Sequence, residues 1–373
     1  MGEWQRFRLG NVASVFDGPH ATPIKPENGP WYLNIASLQA GRLRLEESAH
    51  ISEEDFPRWT RRIEPVPGDV LFSYETRLGE AAMMPEGIEA CLGRRMALLR
   101  PNRGVVDPRF LLYAYLGPDF QETIRRQTVH GATVERLPIS DMADWEIALP
   151  PLSEQRAIAE VLGALDDKIE ANRRTISTIW SLAEGYFLKI AEHEDVASVP
   201  LGHVARLSYG KSLPAGTREP GRVPVFGSGG ILGHHKSAMV QGPGVVVGRK
   251  GTAGAVHWSD SDFFPIDTTF YVESDLPMEF VYFALRSLGL DQMNFDSAVP
   301  GLNRNAALAR SIPLPNTGVL ATFGVLSRSL TQAIAATERE NDLLATLRDT
   351  LLPELLSGEL RVQDAQSLVG KAV

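Results

Sequence analysis

Only one cysteine, Cys91, occurs in 373 residues, so no internal disulfide can form and no thiolate metal cluster can assemble. Uninterrupted apolar runs of the roughly 18 residues that a membrane span needs are missing, and Met1-Gly2-Glu3-Trp4-Gln5-Arg6 lacks a signal peptide's apolar core. A cytoplasmic chain with a reduced thiol is therefore expected. Positive charge is scarce as well: 37 Lys and Arg against 46 Asp and Glu leave a net charge of -9. Affinity for phosphates comes from Lys and Arg, so that balance disfavours a protein that coats nucleic acid over its whole surface.

Several catalytic signatures are absent too. There is no Gly-x-x-x-x-Gly-Lys-Ser/Thr loop for ATP, and Gly227-Ser228-Gly229-Gly230 has the wrong spacing to Gly233 for a dinucleotide fingerprint. An adenine methyltransferase would carry an Asn/Asp-Pro-Pro-Tyr/Phe motif, and a metal-dependent nuclease a carboxylate cluster with a trailing Lys; neither occurs. His234, His235 and His257 have no carboxylate or Cys at ligand spacing, so no bound metal is expected. The chain is expected to catalyse nothing and to need no cofactor of its own.

What is present is a composition of 43% hydrophobic and 22% charged residues, typical of globular proteins, at a length that suits two domains with additional elements. The acidic residues gather at Glu46, Glu47, Glu53, Glu54, Asp55 and between Glu154 and Glu194. Basic and amide residues gather in Gly-rich loops, a segregation that permits a basic groove on an acidic body.

The chain is written twice. Leu9-Gly10-Asn11-Val12-Ala13 recurs as Leu201-Gly202-His203-Val204-Ala205, an offset of 192 residues. Pro108-Arg109-Phe110 and the following Leu111 to Leu116 pair with Met278-Glu279-Phe280 and Val281 to Leu285 at an offset of 170, as do Gly131 and Gly301. Ile147-Ala148-Leu149-Pro150 matches Ile312-Pro313-Leu314-Pro315, and the following run stays in step at 165, pairing Leu165 with Leu330 and Ile169 with Ile334. The falling offset means that the second copy has lost residues from its loop-rich first part. Each globular part mixes short strand-like runs, such as Asp69-Val70-Leu71-Phe72 and Val245-Val246-Val247, with Gly, Pro and Asn punctuation and one helix near Phe110 or Phe280, which predicts α/β domains.

Between and after these parts lie long helical patterns. Ile158, Leu162, Leu165, Ile169, Asn172, Ile176, Ile179, Ala183, Tyr186 and Ile190 alternate steps of four and three, a heptad seam. Ser153 is a good N-cap with Glu154 in the first turn, and Pro150-Pro151 prevent an earlier start. At the 165-residue offset a second seam runs Leu330, Ile334, Thr337, Asn341, Leu344, Leu351 and Leu355, with Arg348 in the place of Ala183, and closes at Ser357-Gly358. Antiparallel pairing of the seams would set the two domains at opposite ends of a spacer about an approximate two-fold axis. Thirty-eight helical residues extend about 57 Å, longer than one ~34 Å turn of DNA. Asn172 either fixes the register of the pairing or occupies a solvent-facing slot. A dimerisation coiled coil is the competing use of both helices.

Leu149-Pro150-Pro151-Leu152-Ser153-Glu154-Gln155-Arg156-Ala157-Ile158-Ala159, then Leu165-Asp166-Asp167-Lys168-Ile169-Glu170, resembles the spacer-helix signature of Type I restriction-modification specificity subunits. Leu351-Leu352-Pro353-Glu354-Leu355-Leu356-Ser357-Gly358-Glu359-Leu360 is similar to that family's second helix end. Three further patches are similar to its target recognition domains: Val225 to Gly233, Val247 to Gly254, and Val299-Pro300-Gly301-Leu302-Asn303-Arg304-Asn305. The resemblance implies target recognition domain 1 at 1–150, spacer helix 1 at 151–195, target recognition domain 2 at 196–315, spacer helix 2 at 316–358, and a C-terminal tail at 359–373. It also implies a bipartite double-stranded DNA target, two methyltransferase subunits and, optionally, two ATP-driven restriction subunits as partners. S-adenosylmethionine, ATP and Mg would then belong to the partners. The alternative is an assembly or regulatory coiled-coil protein, or a decayed specificity-subunit copy, that does not read DNA.

Phosphate contacts set affinity and register, while side chains at base edges set specificity. In the first domain the candidates for DNA contact are Arg61, Arg62, Tyr74, Thr76, Arg77, Arg94, Arg95, Arg125, Arg126, Gln127 and His130. In the second they are Lys211, Ser228, His234, His235, Lys236, Arg249, Lys250, Thr252, Asn303, Arg304 and Asn305. The glycines around Arg249 and Lys250 would let that loop approach a phosphate and offer it amide donors; the alternative is a solvated turn.

Overall fold

The structure is a computed structural model that describes residues 4–19, 21–130, 134–193, 195–293 and 301–373. Met1, Gly2, Glu3, Gly131, Glu194, Val299 and Pro300, named above, lie outside the described residues. Two compact units divide the chain: Met1–Glu170 with Asp342–Val373, and Ala171–Asn341.

Each unit is built on a four-stranded antiparallel sheet of the same topology. In the first, the strand order is Ala13–Asp17, Met96–Pro101, Val70–Ser73, Ala81–Met83; in the second, Ala205–Tyr209, Thr269–Ser274, Gly244–Gly248, Val256–Ser259. Val70 to Phe72 and Val245 to Val247 are fully buried, which is why these segments read as continuous apolar runs rather than alternating ones. A three-stranded sheet with one parallel pair accompanies each: Ala49–His50, Trp31–Leu33, Ala90–Leu92 in the first and Gly230–His235, Val223–Gly227, Phe264–Pro265 in the second.

A two-stranded ribbon then ties the start of each globular part to its end. Gln5–Arg8 pairs with Glu146–Leu149, and Ala197–Pro200 with Ser311–Leu314. The expected helices lie at Pro108–Leu116 and Met278–Ser287. Asp107 caps the former, its carboxylate accepting the Arg109 and Phe110 amides, with Pro108 in the first turn where no amide is needed. The doubled α/β architecture is thus present in the main sheet, the accompanying sheet and the ribbon of each unit.

The repeats also differ, in a way that accounts for part of the falling offset. The first unit carries a hairpin, Leu38–Gln39 with Arg42–Leu43, for which the second has no counterpart among the described residues. One equivalence is corrected: the Leu137 amide bonds the Tyr74 carbonyl as the Leu302 amide bonds the Arg249 carbonyl, each at 2.9 Å. Gly301 is therefore matched in space by Arg136, while Gly131 lies outside the described residues.

The long helices span Leu152–Ala191 and Thr317–Ser357. Ile158, Leu162, Leu165 and Ile169, with Leu344, Leu351 and Leu355, are buried in the core of the first unit. In the second unit Asn172, Ala183, Ile190 and Ile334 are buried, whereas Ile176, Ile179 and Leu330 are half-buried. There the helices run antiparallel: Asn172 contacts Asn341, while Tyr186 stacks on Phe323 with ring centroids 5.6 Å apart.

Gly358 takes a φ of +72°, the left-handed stop that a side chain would resist. Beyond it the tail forms another helix, Val362–Val369, whose Ala365 and Val369 enter the first unit's core. The Thr317–Ser357 helix is long and apolar enough to cross a membrane by length and composition, but Leu320, Phe323 and Ile334 on it are buried within the second unit.

Candidate nucleic-acid interface

In the second unit the described residues of the three sequence patches meet at one end of the main sheet. Strand Gly244–Gly248 leads into the turn that carries Arg249 and Lys250. The Gly254 amide bonds the Gly248 carbonyl at 2.8 Å, closing a tight loop. A Cβ on Gly248 would collide with the Thr252 carbonyl, so glycine is required there.

The other two patches dock on this loop. Ser228 hydroxyl donates to the Thr268 carbonyl at 2.6 Å, the same carbonyl that accepts the Arg249 amide at 2.9 Å. Leu302 amide donates to the Arg249 carbonyl at 2.9 Å, and Lys250 forms a bridge with Gly301.

The side chain at the centre is one that sequence reasoning passed over. Tyr209, 53% exposed at the end of its strand, has the Arg249 and the Arg304 guanidinium each 5.5 Å from its ring centroid. Arg249 is braced by two hydrogen bonds to the Asp267 carbonyl, at 3.1 and 2.6 Å. Two guanidinium groups on one exposed ring form a cationic, planar surface of the kind that accepts phosphates and bases. The signal was Ser208-Tyr209-Gly210-Lys211, an aromatic beside glycine and lysine at a strand end.

The remaining second-unit candidates divide by exposure. Lys211, His234, Lys250, Thr252 and Asn305 are exposed. Lys236 is exposed but pairs with Glu219 at 2.6 Å. Ser228 and His235 are buried, and the His235 Nδ1 accepts the Glu219 amide at 3.0 Å, so both serve the loop framework. Asn303 caps the short helix Arg304–Leu308, its side chain accepting the Ala306 amide at 3.0 Å.

The first unit assembles an equivalent loop from Tyr74 to Gly79. Glu75 bridges Arg136 as Lys250 bridges Gly301, and Thr76 sits at φ +70° where the second copy has Gly251 at +79°. A β-branched residue in that region is strained, and strain of this kind collects at functional loops. Tyr74, however, is only 5% exposed; burial, with the negative charges of Glu75 and Asp17, pushes its phenol above the ordinary range. Arg77 is used inside the fold, donating to the Ile35 and Ala36 carbonyls at 3.0 and 3.2 Å.

Most cations around this loop already have acidic partners. Arg62 pairs with Asp17 at 2.8 Å, Arg95 with Glu75 at 2.9 Å, and His130 with Glu135 at 2.9 Å. Arg125, in the last turn of the helix Pro118–Gln127, pairs with Glu122 at 2.6 Å. Arg61, Arg94, Arg126 and Gln127 are exposed. Arg136, bridged to Glu75, is exposed and was missed because its position depends on a fold-back of the chain.

This geometry can be set beside known proteins. The family model described as "Type I restriction modification DNA specificity domain" matches residues 1–179. The "Type I restriction enzyme MjaIX specificity subunit" of Methanocaldococcus jannaschii is 23% identical across 97% of this chain and 94% of its own length. Residues 1–179 of the chain thus match the Type I specificity-domain family.

A second specificity-subunit relative from that archaeon, the putative MjaX subunit, is 26% identical over 54% of this chain; that match spans about half (50%) of the relative's length. The fold agrees with the crystal structure of a Type I restriction-modification S subunit from M. genitalium, at a TM-score of 0.56, 20% identity and coverage of 94% and 96% of the two chains. Among the described residues no group of three His, Cys, Asp or Glu side chains is placed to hold a metal ion.

Proposed function

We propose that this chain is a specificity subunit that reads a bipartite double-stranded DNA target, each copy's loop cluster facing one half-site, and docks two methyltransferase subunits that carry the chemistry. Two restriction subunits form the optional outer shell, in the cytoplasm. S-adenosylmethionine, ATP and Mg belong to those partners, and this chain contributes recognition without catalysis.

The observation that carries the reading is the Arg249–Tyr209–Arg304 cluster. It lies where the loop bearing the recognition-domain patches converges, on a fold whose strand order occurs twice. Among the described residues neither arginine forms an ion pair with a carboxylate, so both guanidinium groups are available to phosphate without displacing an acid.

Co-expression with the neighbouring methyltransferase, followed by genome-wide mapping of N6-methyladenine, tests the proposal. One split motif is the expected result; an unmethylated genome with an otherwise active methyltransferase refutes it. Titrations of the assembled complex at several salt concentrations provide the second measurement. Log affinity should fall by roughly 0.9 per phosphate contact for each unit of log salt.

A further inference from the structure

The two copies resolve the same structural problem differently where the long helix meets the helix that follows the main sheet. In the first unit Arg109 lies against Gly163 and bonds Asp167 at 3.0 Å, while Arg42 reaches in from the hairpin to Asp166 and Glu170, each at 3.2 Å. Every charge there is matched by another from the same unit.

At the repeat offsets the second unit replaces Arg109 with Glu279, Gly163 with Arg328, Asp166 with Thr331, Asp167 with Gln332 and Glu170 with Ala335. The hairpin that supplies Arg42 has no counterpart there among the described residues. What remains is a cleft of about 430 Å³, with Trp258 and Met278 in its wall beside Glu279 and Arg328, and with Asp260 already paired to Arg339 at 3.7 Å on its rim.

Glu279 is the anomaly in that cleft. It is 2% exposed, yet its Oε1 has no hydrogen-bond partner, and Arg328 approaches only to 3.6 Å from a side chain that is itself 62% exposed. A carboxylate removed from water without a donor is destabilised, and Arg328, at ion-pair but not hydrogen-bond distance, offsets only part of that. The dipole of the Met278–Ser287 helix, in whose first turn Glu279 lies, supplies only part of that stabilisation. A planar guanidinium supplies the rest: it can donate twice to the carboxylate and lie against the Trp258 ring, as Arg42 and Arg109 satisfy the acids in the first copy.

We propose that the Glu279 cleft is a receptor for an arginine side chain presented by a methyltransferase subunit. The guanidinium chemistry rests on the cleft alone; the identity of the partner rests on the function proposed above.

The test uses the full chain labelled with [methyl-13C]methionine, with the Met278 signal assigned through Met278→Leu. L-argininamide should move the Met278 methyl saturably, and the neutral isostere L-citrullinamide should not. Glu279→Gln should weaken the response at least tenfold while the other methionine signals keep their dispersion. Arg328→Ala, which removes a competing cation from an exposed position, should strengthen it severalfold. In the assembled methyltransferase complex the Met278 signal should already sit near its argininamide-bound position and ignore added argininamide. An unmoved Met278 in the free chain, or equal binding by Glu279→Gln, overturns the receptor. A complex whose Met278 still responds like that of the free chain overturns the partner. Loss of genomic methylation with the argininamide response intact would instead count against the DNA-reading assignment.

Discussion

Asn172 donates its side-chain amide to Asn341 Oδ1 at 3.0 Å and to Glu340 Oε2 at 2.7 Å, joining the two long helices across a position only 8% exposed. Of the two roles open to a polar residue in the seam, this geometry is the register-fixing one, since a shifted pairing would bury the amide against aliphatic side chains. Asn172→Leu should lower unfolding free energy by about 1–2 kcal/mol, because Asn341 loses its donor. The double variant Asn172→Leu/Asn341→Leu should recover most of that loss. Urea unfolding followed by circular dichroism measures both; a double variant no more stable than the single one would show that the amides act independently.

Asp166 is the acceptor for three donors, Tyr113 at 2.7 Å, Arg348 at 2.8 Å and Arg42 at 3.2 Å. Burial by itself would raise its carboxyl, but the hydrogen bonds from Tyr113 and Arg348 and the charges of Arg348 and Arg42 outweigh it and hold it below the ordinary 3.8. A carboxylate with a depressed folded value contributes stability that is complete above its unfolded value and drains away as pH falls through the folded one. Wild-type stability should therefore carry an acid-side loss beginning near pH 4. Asp166→Asn should be flatter there and about 3 kcal/mol less stable at pH 7, since Arg348 and Arg42 are left half-buried without their partner. Unfolding curves between pH 3 and 7 decide it.

Tyr209→Ala and Arg304→Ala both dismantle the cationic surface in the second unit. Each should weaken DNA binding by the assembled complex roughly tenfold, about 1.4 kcal/mol. Arg304→Ala should also reduce the salt slope by about one contact. Methylome mapping should show relaxation confined to one half of the target. Equal relaxation in both halves would contradict the assignment of one loop cluster to one half-site.

Cys91 is fully buried, and desolvation pushes its thiol up to about 12. The thiolate is the reactive form, so alkylation by iodoacetamide at pH 8 should be slow in the native chain and rapid in urea. Its rate then reports opening of the first unit. Fast labelling of the folded chain would show that this core opens locally.

Three features were legible in the residues themselves because they follow from short-range rules. The seams declared themselves through steps of three and four, since 3.6 residues per turn brings those positions to one face. The duplication declared itself through matched runs in matched order, and Gly358 marked the helix end because left-handed backbone favours glycine. Tertiary structure decided the rest. Tyr74 and Ser228 looked like readers of DNA but became framework, because burial depends on what folds over a loop and not on the loop's own composition. Tyr209 and Arg136 became surface candidates only when strands and loops distant in sequence closed around them. Arg348 replaced an apolar residue in the seam, an apparent flaw until Asp166 and Arg42 met it in space. Periodicity and propensity act within a few residues, whereas charge pairing, desolvation and cleft formation depend on which distant residues share a neighbourhood.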